Sequence, residues 1–340
     1  MKTKLQQAWL TRGWLVRVLW PVSRLYGLVV LLRRQLYKSG LLRATRVGVP
    51  VIVVGNLVVG GGGKTPLVIA LVNHFRDRGI KAGVISRGYG RIGLSCQEVH
   101  PQTSVLESGD EPAFIKRATG APVFVARKRA EAAVALLQAH PSIQVLICDD
   151  GLQHHALARD IQIAVFDDRG TGNGWLLPAG PLREPWTVKN HAGIDLVLHT
   201  GQVPAFEGFS STRRLADHAI AANGSTVDLR SLAGQPLVAL AAIATPEAFF
   251  SMLVDRGLTL AQTIALPDHH DFSDYVLPVK AGTTVLCTEK DAVKLFQFPA
   301  ISSTRLLAVP LVFSPESAFI DALDTLLAPL LSHLPSRHGH

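Results

Sequence analysis

A run of glycines followed by a lysine and a threonine is the strongest chemical signal in the sequence. The stretch GNLVVGGGGKTP occupies residues 55 to 66. Consecutive glycines let backbone N–H groups point at phosphate oxygens, a lysine can neutralise the β- and γ-phosphates, and a threonine hydroxyl can bind Mg²⁺. We therefore predict a nucleoside triphosphate site in this loop. Its predicted residues are Val58, Val59, Gly60, Gly61, Gly62, Gly63, Lys64 and Thr65.

The loop departs at one position from the common phosphate-loop pattern G-x-x-x-x-G-K-[ST]. That pattern has a glycine where this chain has Val58. Four consecutive glycines stand directly before Lys64 and can still supply the tight turn. The departure therefore does not remove the phosphate-site prediction.

Two aspartates end a second apolar run. The run IQVLICDD covers residues 143 to 150 and reads as a buried strand, with Asp149 and Asp150 at its end. Ligands of open α/β sheets bind at the carboxyl edge of the strands, and an acid there can hold Mg²⁺ through water. Thr65, Asp149 and Asp150 are accordingly the predicted metal-binding residues, and Lys64 is a predicted catalytic residue.

Phosphoryl transfer to a hydroxyl also needs a base. Asp110, in the sequence SGDEP, has a short side chain beside a glycine and suits that role. An aspartate before Glu-Pro is equally suited to open a helix, so capping is the alternative. His269 or His270, in PDHHDF, could orient or polarise Asp110 across a cleft.

The elements around these residues predict an α/β fold. The β-branched run from Val49, the glycine loop and the apolar-periodic segment after Lys64 give the order strand, loop, helix. We predict a P-loop NTPase-like α/β/α domain over residues 48–225. From about residue 235 strand and helix patterns alternate again without a second phosphate loop, which predicts a second, smaller α/β domain over residues 226–340 that closes over the cleft.

Residues 1–47 form a basic, tryptophan-bearing leader. Twelve lysines and arginines precede Asp77, the first acidic residue, so the charge of +8 is concentrated at this end. No apolar run reaches the length of a bilayer span, and the run that ends at Arg33 and Arg34 has no small-residue cleavage site. We predict an amphipathic helix pair, broken near Pro21, on an anionic membrane surface, rather than a nucleic-acid partner. The alternative is that the leader packs on the protein's own body.

The motifs resemble, in order, those of the tetraacyldisaccharide 4′-kinases of Gram-negative lipid A biosynthesis. The matching stretches run from VGNLVVGGGGKTP through VISRGYGR, SGDEP, CDDGLQH, GNGWLLPAGPLREP and PDHH to TEKDAVKL. The resemblance implies transfer of the γ-phosphate of ATP to the 4′-hydroxyl of an acylated glucosamine disaccharide 1-phosphate, which gives lipid IVA. It also implies a peripheral enzyme at the cytoplasmic face of the inner membrane, with its active site in a cleft between two α/β/α domains.

The resemblance assigns roles residue by residue. Lys64 and Thr65 match the phosphate-binding pair, and Asp149 and Asp150 match the Walker B acids. Asp110 matches the catalytic aspartate. Its histidine partner matches His269, aligned on the preceding Asp268, and His270 would be one position away.

Two other classes of protein share parts of this pattern. A membrane-associated nucleotide switch or targeting ATPase has a similar glycine loop, but the partitioning group carries an extra lysine where this chain has Val59. A nucleic-acid ATPase is suggested by the pI of 9.6 alone. A switch would bind nucleotide and modify no lipid.

Overall fold

The computed structural model describes residues 7–60, 62–186, 193–272, 275–280, 282–297 and 304–332. Two sheets, each with its own core, confirm the predicted α/β class. Gly61, one of the predicted phosphate-loop residues, lies outside the described residues.

The chain first builds the leader helix and most of the larger sheet. In order, these elements are α1 (Trp14–Lys38), β1 (Val51–Gly55), α2 (Lys64–Asp77), β2 (Ala82–Ser86), β3 (Gln97–Glu98), α3 (Val105–Ser108), α4 (Asp110–Thr119), β4 (Val123–Val125), α5 (Arg129–Ala139), β5 (Val145–Asp149), β6 (Ile161–Phe166), β7 (Leu196–His199) and β8 (Phe209–Leu215).

The remaining elements build the smaller sheet and then return to the larger one. They are β9 (His218–Ala221), β10 (Thr226–Asp228), a 3₁₀ turn (Leu229–Leu232), β11 (Leu237–Ala241), α6 (Pro246–Asp255), β12 (Leu260–Ala265), β13 (Thr284–Thr288), α7 (Glu289–Leu295), β14 (Arg305–Val309), β15 (Leu311–Pro315) and α8 (Ser317–Ser332).

The larger sheet has the strand order β15-β8-β7-β6-β1-β5-β2-β4-β3. Its strands from β8 to β4 are parallel, and only the outer partners β15 and β3 run antiparallel. Strands β1, β2 and β5 are buried along their whole length, because helices or loops cover both faces. These strands therefore have continuous apolar runs rather than alternating apolar and polar residues.

Each face of the larger sheet has its own covering layer. Side chains such as Ile52 and Val54 pack with α2, α4 and α8 on one face. Val51 and Val53 pack with α5 and with the segment that contains Leu176 and Leu182 on the other. This second layer also lies against the leader helix, since Gly27 lies close to the side chain of Leu176.

The smaller sheet has the order β10-β9-β14-β13-β11-β12, with the alternating strand and helix pattern predicted for the second half. The chain divides between the sheets differently from the predicted boundary at residue 226. Strand β9 already belongs to the smaller sheet, whereas β15 pairs with β8 and α8 buries Phe319, Leu323 and Leu327 in the core of the larger one. The apolar stripe of α8 predicts that one face of this helix is buried, but it does not indicate against which sheet the helix packs.

The leader differs from prediction in its backbone. Trp14–Lys38 forms one helix that continues through Pro21, so the predicted break there is wrong. At 25 residues it extends about 37 Å, and by length and composition it could cross a membrane, although a buried core helix or a signal sequence can meet the same criterion. That the leader lies on a membrane rather than spanning it stays a prediction.

Candidate active site

The phosphate loop connects β1 to α2, as the sequence predicts. Gly63 precedes the helix with a φ of 79°, and Gly60 has a φ of 112°. Side chains with a Cβ atom rarely adopt such conformations, so glycine is favoured at both positions. Lys64 and Thr65 are consequently the first two residues of α2, where helix N–H groups lack intrahelical partners.

The valines of the loop have a structural function that explains the departure from the common pattern. Val58 is buried, its N–H donates to Asn56 Oδ1 at 2.7 Å, and it forms an isolated bridge with Leu182. The N–H of Val59 donates to the carbonyl of Pro181 at 2.9 Å. An apolar residue at position 58 therefore anchors the entry of the loop, and the turn is made by the glycines that follow.

Asp149 and Asp150 lie next to this loop because β5 pairs with β1. The register places Val54 opposite Asp149, at the carboxyl end of both strands. Asp150 has a φ of 48°, in the left-handed region. Its Oδ1 is 3.6 Å from Lys64 Nζ, and its Oδ2 is 3.2 Å from Arg183 Nη1. Three predicted residues, Lys64, Asp149 and Asp150, are thus brought together.

Asp149 has the properties expected of a ligand for a cation. Its Oδ2 accepts from Ser86 Oγ at 3.4 Å, while its buried Oδ1 has no hydrogen-bond partner among the described residues. Burial, with the nearby charges of Glu111 and Asp150, raises the pKa of Asp149. A buried carboxylate under such repulsion is stabilised by a positive ion, so the residues present fit Mg²⁺.

Asp150 differs from its neighbour in charge balance. Burial alone would raise the pKa of Asp150, but Lys64 and Arg183 outweigh it and hold that pKa below its ordinary value. Within the described ranges no cluster of three or more His, Cys, Asp or Glu side chains could hold a metal.

We call the larger sheet with its helices the larger unit and the smaller sheet with its helices the smaller unit. Asp110 belongs to the larger unit and contacts the smaller one. It is the first residue of α4, and its Oδ1 accepts from the N–H of Glu111 at 3.1 Å. Its Oδ2 is 2.7 Å from His269 Nδ1 and 3.2 Å from Lys294 Nζ, which both belong to the smaller unit. The N-cap position of α4 is Gly109 and has no side-chain cap, so Asp110 is not the N-cap residue; its Oδ2 belongs to the cluster with His269 and Lys294.

The structure distinguishes the two neighbouring histidines. His269 has a φ of 65° and contacts Asp110. The ring of His270 packs instead on Phe272 and Tyr275, and its Nδ1 accepts from the N–H of Phe272 at 3.1 Å. Among the two, His269 is the one in contact with Asp110.

A cavity of about 450 Å³ opens beside this cluster. Asp110 and His269 form part of its wall, and backbone and side-chain atoms from both units complete it. The other lining residues are Tyr89, Gly90, Ser104, Val105, Leu106, Gly109, Asp271, Lys294 and Gln297. A hydroxyl that enters this cavity would meet a carboxylate held between a histidine and a lysine.

The charges around Asp110 keep it ionised. Burial alone would raise its pKa, but the hydrogen bond with His269 and the ammonium groups of Lys290 and Lys294 outweigh that effect and lower it well below the usual range. The same hydrogen bond raises the pKa of His269, against the opposing effect of burial. The two groups therefore stabilise each other in their charged forms.

Lys294→Met is expected to move the acid limb of the pH profile of kcat/KM to higher pH. The lysine lowers the pKa of Asp110, so its removal raises that pKa, and the carboxylate is protonated sooner as pH falls. Measurement of kcat/KM from about pH 3 to pH 7 tests this, because the pKa of Asp110 lies below its usual range. Lys280→Met, which removes an exposed lysine of the same unit, is the matched control. An acid limb identical in both variants contradicts the role of Lys294.

Sequence reasoning missed several contacts of the site. Lys294 occurs in the sequence analysis only within the stretch TEKDAVKL, and Arg183 only within GNGWLLPAGPLREP, although Arg183 pairs with Asp150. Arg129 donates to the carbonyl of Asp150 at 2.9 Å, and Thr200 Oγ1 donates to that of Gly62 at 2.8 Å. No spacing signal links these residues to the loop, because each comes from a different part of the chain.

A parallel sheet with a glycine loop before α2, a buried lysine at the helix start and acids at the end of β5 defines a P-loop nucleotide-binding protein. The family model described as tetraacyldisaccharide-1-P 4′-kinase matches residues 15–328. The chain belongs to this family. The resemblance read from the motifs is thereby confirmed.

Curated relatives and a solved structure agree with this assignment. The chain is 66% identical to the tetraacyldisaccharide 4′-kinase of Polaromonas naphthalenivorans, over 100% of this chain and 99% of the relative. It is 55% identical to that of an Acidovorax species, over 97% and 96%. The crystal structure of LpxK from Aquifex aeolicus in complex with ATP aligns with a TM-score of 0.80 at 29% identity, covering 93% of this chain and 99% of that one.

Proposed function

We propose that this protein transfers the γ-phosphate of ATP to the 4′-hydroxyl of a tetraacylated glucosamine disaccharide 1-phosphate, which forms lipid IVA at the cytoplasmic face of the inner membrane. The observations that carry the proposal are two clusters of the same chain, Lys64 with Asp150 beside the glycine loop and Asp110 with His269 beside the cavity. The relatives named as tetraacyldisaccharide 4′-kinases support the choice of acceptor.

The chain's residues divide the reaction between them. Asp110 accepts the proton of the acceptor hydroxyl as its oxygen forms a bond to the γ-phosphorus and the bond from that phosphorus to the β,γ-bridging oxygen breaks, releasing ADP. His269 Nδ1–H donates to Oδ2 of Asp110 and holds the carboxylate in place. Lys64 and the loop N–H groups neutralise charge on the phosphates.

Mg²⁺ would be held by Asp149 and Thr65, with Asp150 beside them. When bound, it neutralises charge that develops on the phosphate oxygens. Asp150 forms ion pairs with Lys64 and Arg183, and the first of these holds the lysine side chain at the start of α2. Glu111 lies in the first turn of α4, and its charge raises the pKa of Asp149. Helix α4 therefore links the predicted metal-binding residues to Asp110.

The pattern of exposed and buried residues on the leader helix, α1, supports a peripheral position of the protein on an anionic bilayer. Its buried residues, Val16, Ser23 and Gly27, are mostly small and face the protein body. Its large apolar residues point the other way and are exposed. They include Trp14, Val18, Val22, Leu25, Leu28, Val29 and Leu32. A helix with one face docked on the body and an apolar outer face suits a position in the plane of the interface.

Incubation with labelled ATP, Mg²⁺ and a tetraacylated disaccharide 1-phosphate in mixed micelles tests the function. We expect labelled lipid, and mass spectrometry should find a gain of one phosphate group. Nucleotide binding or hydrolysis without labelled lipid would favour the nucleotide switch and remove the kinase proposal.

Trp14→Ala combined with Leu25→Ala is expected to weaken binding to anionic vesicles by roughly tenfold or more, because both side chains lose apolar area that the bilayer would bury. Vesicle sedimentation measures the change. Val203→Ala, which truncates an exposed valine outside the leader, is the control and should bind as the parent does. Equal binding by all three proteins would mean that the outer face of α1 does not meet lipid.

A further inference from the structure

One loop lies between the leader and the phosphate loop. We call residues 172–183 the bracing loop; it follows β6 and contains the sequence GNGWLLPAGPLR. It contributes Leu182 and Ala179 to the buried residues of the larger unit. Its two sides contact different parts of the chain, and these contacts are the basis of the inference.

The inner side of the bracing loop holds the entry of the phosphate loop. The carbonyl of Pro181 accepts from the N–H of Val59 at 2.9 Å, and the N–H of Arg183 donates to the carbonyl of Leu57 at 2.7 Å. The guanidinium of Arg183 also contacts both carboxylate oxygens of Asp150. A displacement of this loop would therefore move both the first half of the phosphate loop and a Walker acid.

The outer side is held by the leader through Asn173. Its N–H donates to the carbonyl of Trp9 at 2.7 Å, and its Nδ2 donates to those of Thr11 at 3.1 Å and Ala179 at 2.9 Å. Arg12 Nε donates to the carbonyl of Asn173 at 3.1 Å. Asn173 is therefore the residue at which the segment before α1 is joined to the bracing loop.

Further leader contacts run along the same loop. Ser23 Oγ donates to the carbonyl of Leu176 at 2.7 Å, Trp9 Nε1 to that of Pro178 at 2.9 Å, and Tyr26 OH to that of Arg183 at 2.9 Å. All three acceptors are backbone atoms, so the contacts fix the path of the loop rather than one side chain. The outer apolar face of α1 takes no part in them.

We propose that Asn173 is a positioning residue through which the membrane-facing leader sets the geometry of the phosphate loop. The inference rests on the proposed function in assigning the leader to the membrane and the glycine loop to ATP. Asn173 is 7% exposed, and its carboxamide oxygen also accepts from the N–H of Trp175 at 3.0 Å. Because its side-chain bonds are buried and satisfied, its truncation leaves unpaired carbonyls between leader and loop.

Equilibrium titration with ATP and Mg²⁺, without acceptor lipid, tests the proposal on the full chain. Asn173→Ala is expected to raise the dissociation constant for ATP by roughly tenfold, because the loop entry loses its support. Its partition onto anionic vesicles should stay unchanged. Trp14→Ala, at an exposed position of α1, should give the opposite result, with weaker partition and unchanged ATP affinity.

A purely structural role for Asn173 predicts a different result. It would lower the thermal midpoint and the fraction of molecules that bind ATP, while the dissociation constant of the folded fraction stayed the same. That outcome, or an ATP affinity equal to the parent's, overturns the proposal. Tyr26→Phe removes one hydroxyl contact and keeps the ring, so it provides the test if Asn173→Ala does not fold; it should weaken ATP binding in the same direction.

The two proposals fail separately. The titration measures ATP binding alone, so an absence of labelled lipid in the kinase assay would remove the acceptor assignment and leave the effect of Asn173 on ATP affinity intact. Conversely, parent-like ATP binding by both Asn173→Ala and Tyr26→Phe would leave the kinase activity standing and remove the link from the leader to the phosphate loop.

Discussion

Asp110→Asn is expected to lower kcat by roughly 10²- to 10⁴-fold while the affinity for ATP changes little. The amide cannot accept the proton of the acceptor hydroxyl. Asparagine has the same size and keeps an oxygen that can accept from the N–H of Glu111, so the start of α4 should be preserved. Initial rates at saturating ATP and acceptor give kcat, and equilibrium titration gives the ATP affinity.

The size of this effect depends on the surroundings of the carboxylate. Asp110 is 5% exposed, and its carboxylate lies between His269 and Lys294 in the wall of the cavity. Glu107→Gln removes an exposed acid from the neighbouring helix α3 and should retain parental turnover. Turnover of Asp110→Asn near that of Glu107→Gln would mean that Asp110 is not the base.

Lys64→Met is expected to lower kcat/KM for ATP by roughly 10²- to 10³-fold, because a fixed cation is lost from the phosphate site while the length of the side chain is kept. Lys64 is 8% exposed at the start of α2, and its ammonium lies 3.6 Å from Asp150. Steady-state rates with varied ATP measure the loss.

The control for Lys64 is Lys81→Met, an exposed lysine at the amino-terminal end of β2. Because ligands of parallel sheets bind at the opposite, carboxyl edge, this variant should behave as the parent does. If Lys64→Met retained kcat/KM within a few-fold of the control, the glycine loop would not be holding the transferred phosphate.

Local spacing allowed the nucleotide half of the site to be predicted. A strand, a glycine loop and a helix are contiguous in the chain, so the positions of Lys64 and Thr65 at the start of α2 follow from their order. The position of Asp149 beside the loop depends in addition on the pairing of two parallel strands. The structure has this pairing, between β1 and β5. The roles of these residues remain proposals.

The Asp110 half was less accessible to sequence reasoning. The choice between His269 and His270 depends on backbone angles, since a φ of 65° at His269 accompanies its contact with Asp110 while the next ring packs with aromatics. Lys294 reaches Asp110 because α7 of the smaller unit packs against α4 of the larger one. A contact between elements so distant in the chain produces no periodic pattern of residues in either segment, so the sequence does not reveal it.

The sequence by itself determined the α/β class, the phosphate loop, the acids after β5 and the basic, apolar character of the leader, because each depends on neighbouring residues. Only the tertiary structure decided that α8 returns to the larger sheet, that α1 continues through Pro21, and that its small residues face the bracing loop. Burial and pairing across the chain depend on which surfaces meet, and an apolar stripe specifies that it is covered but not by what.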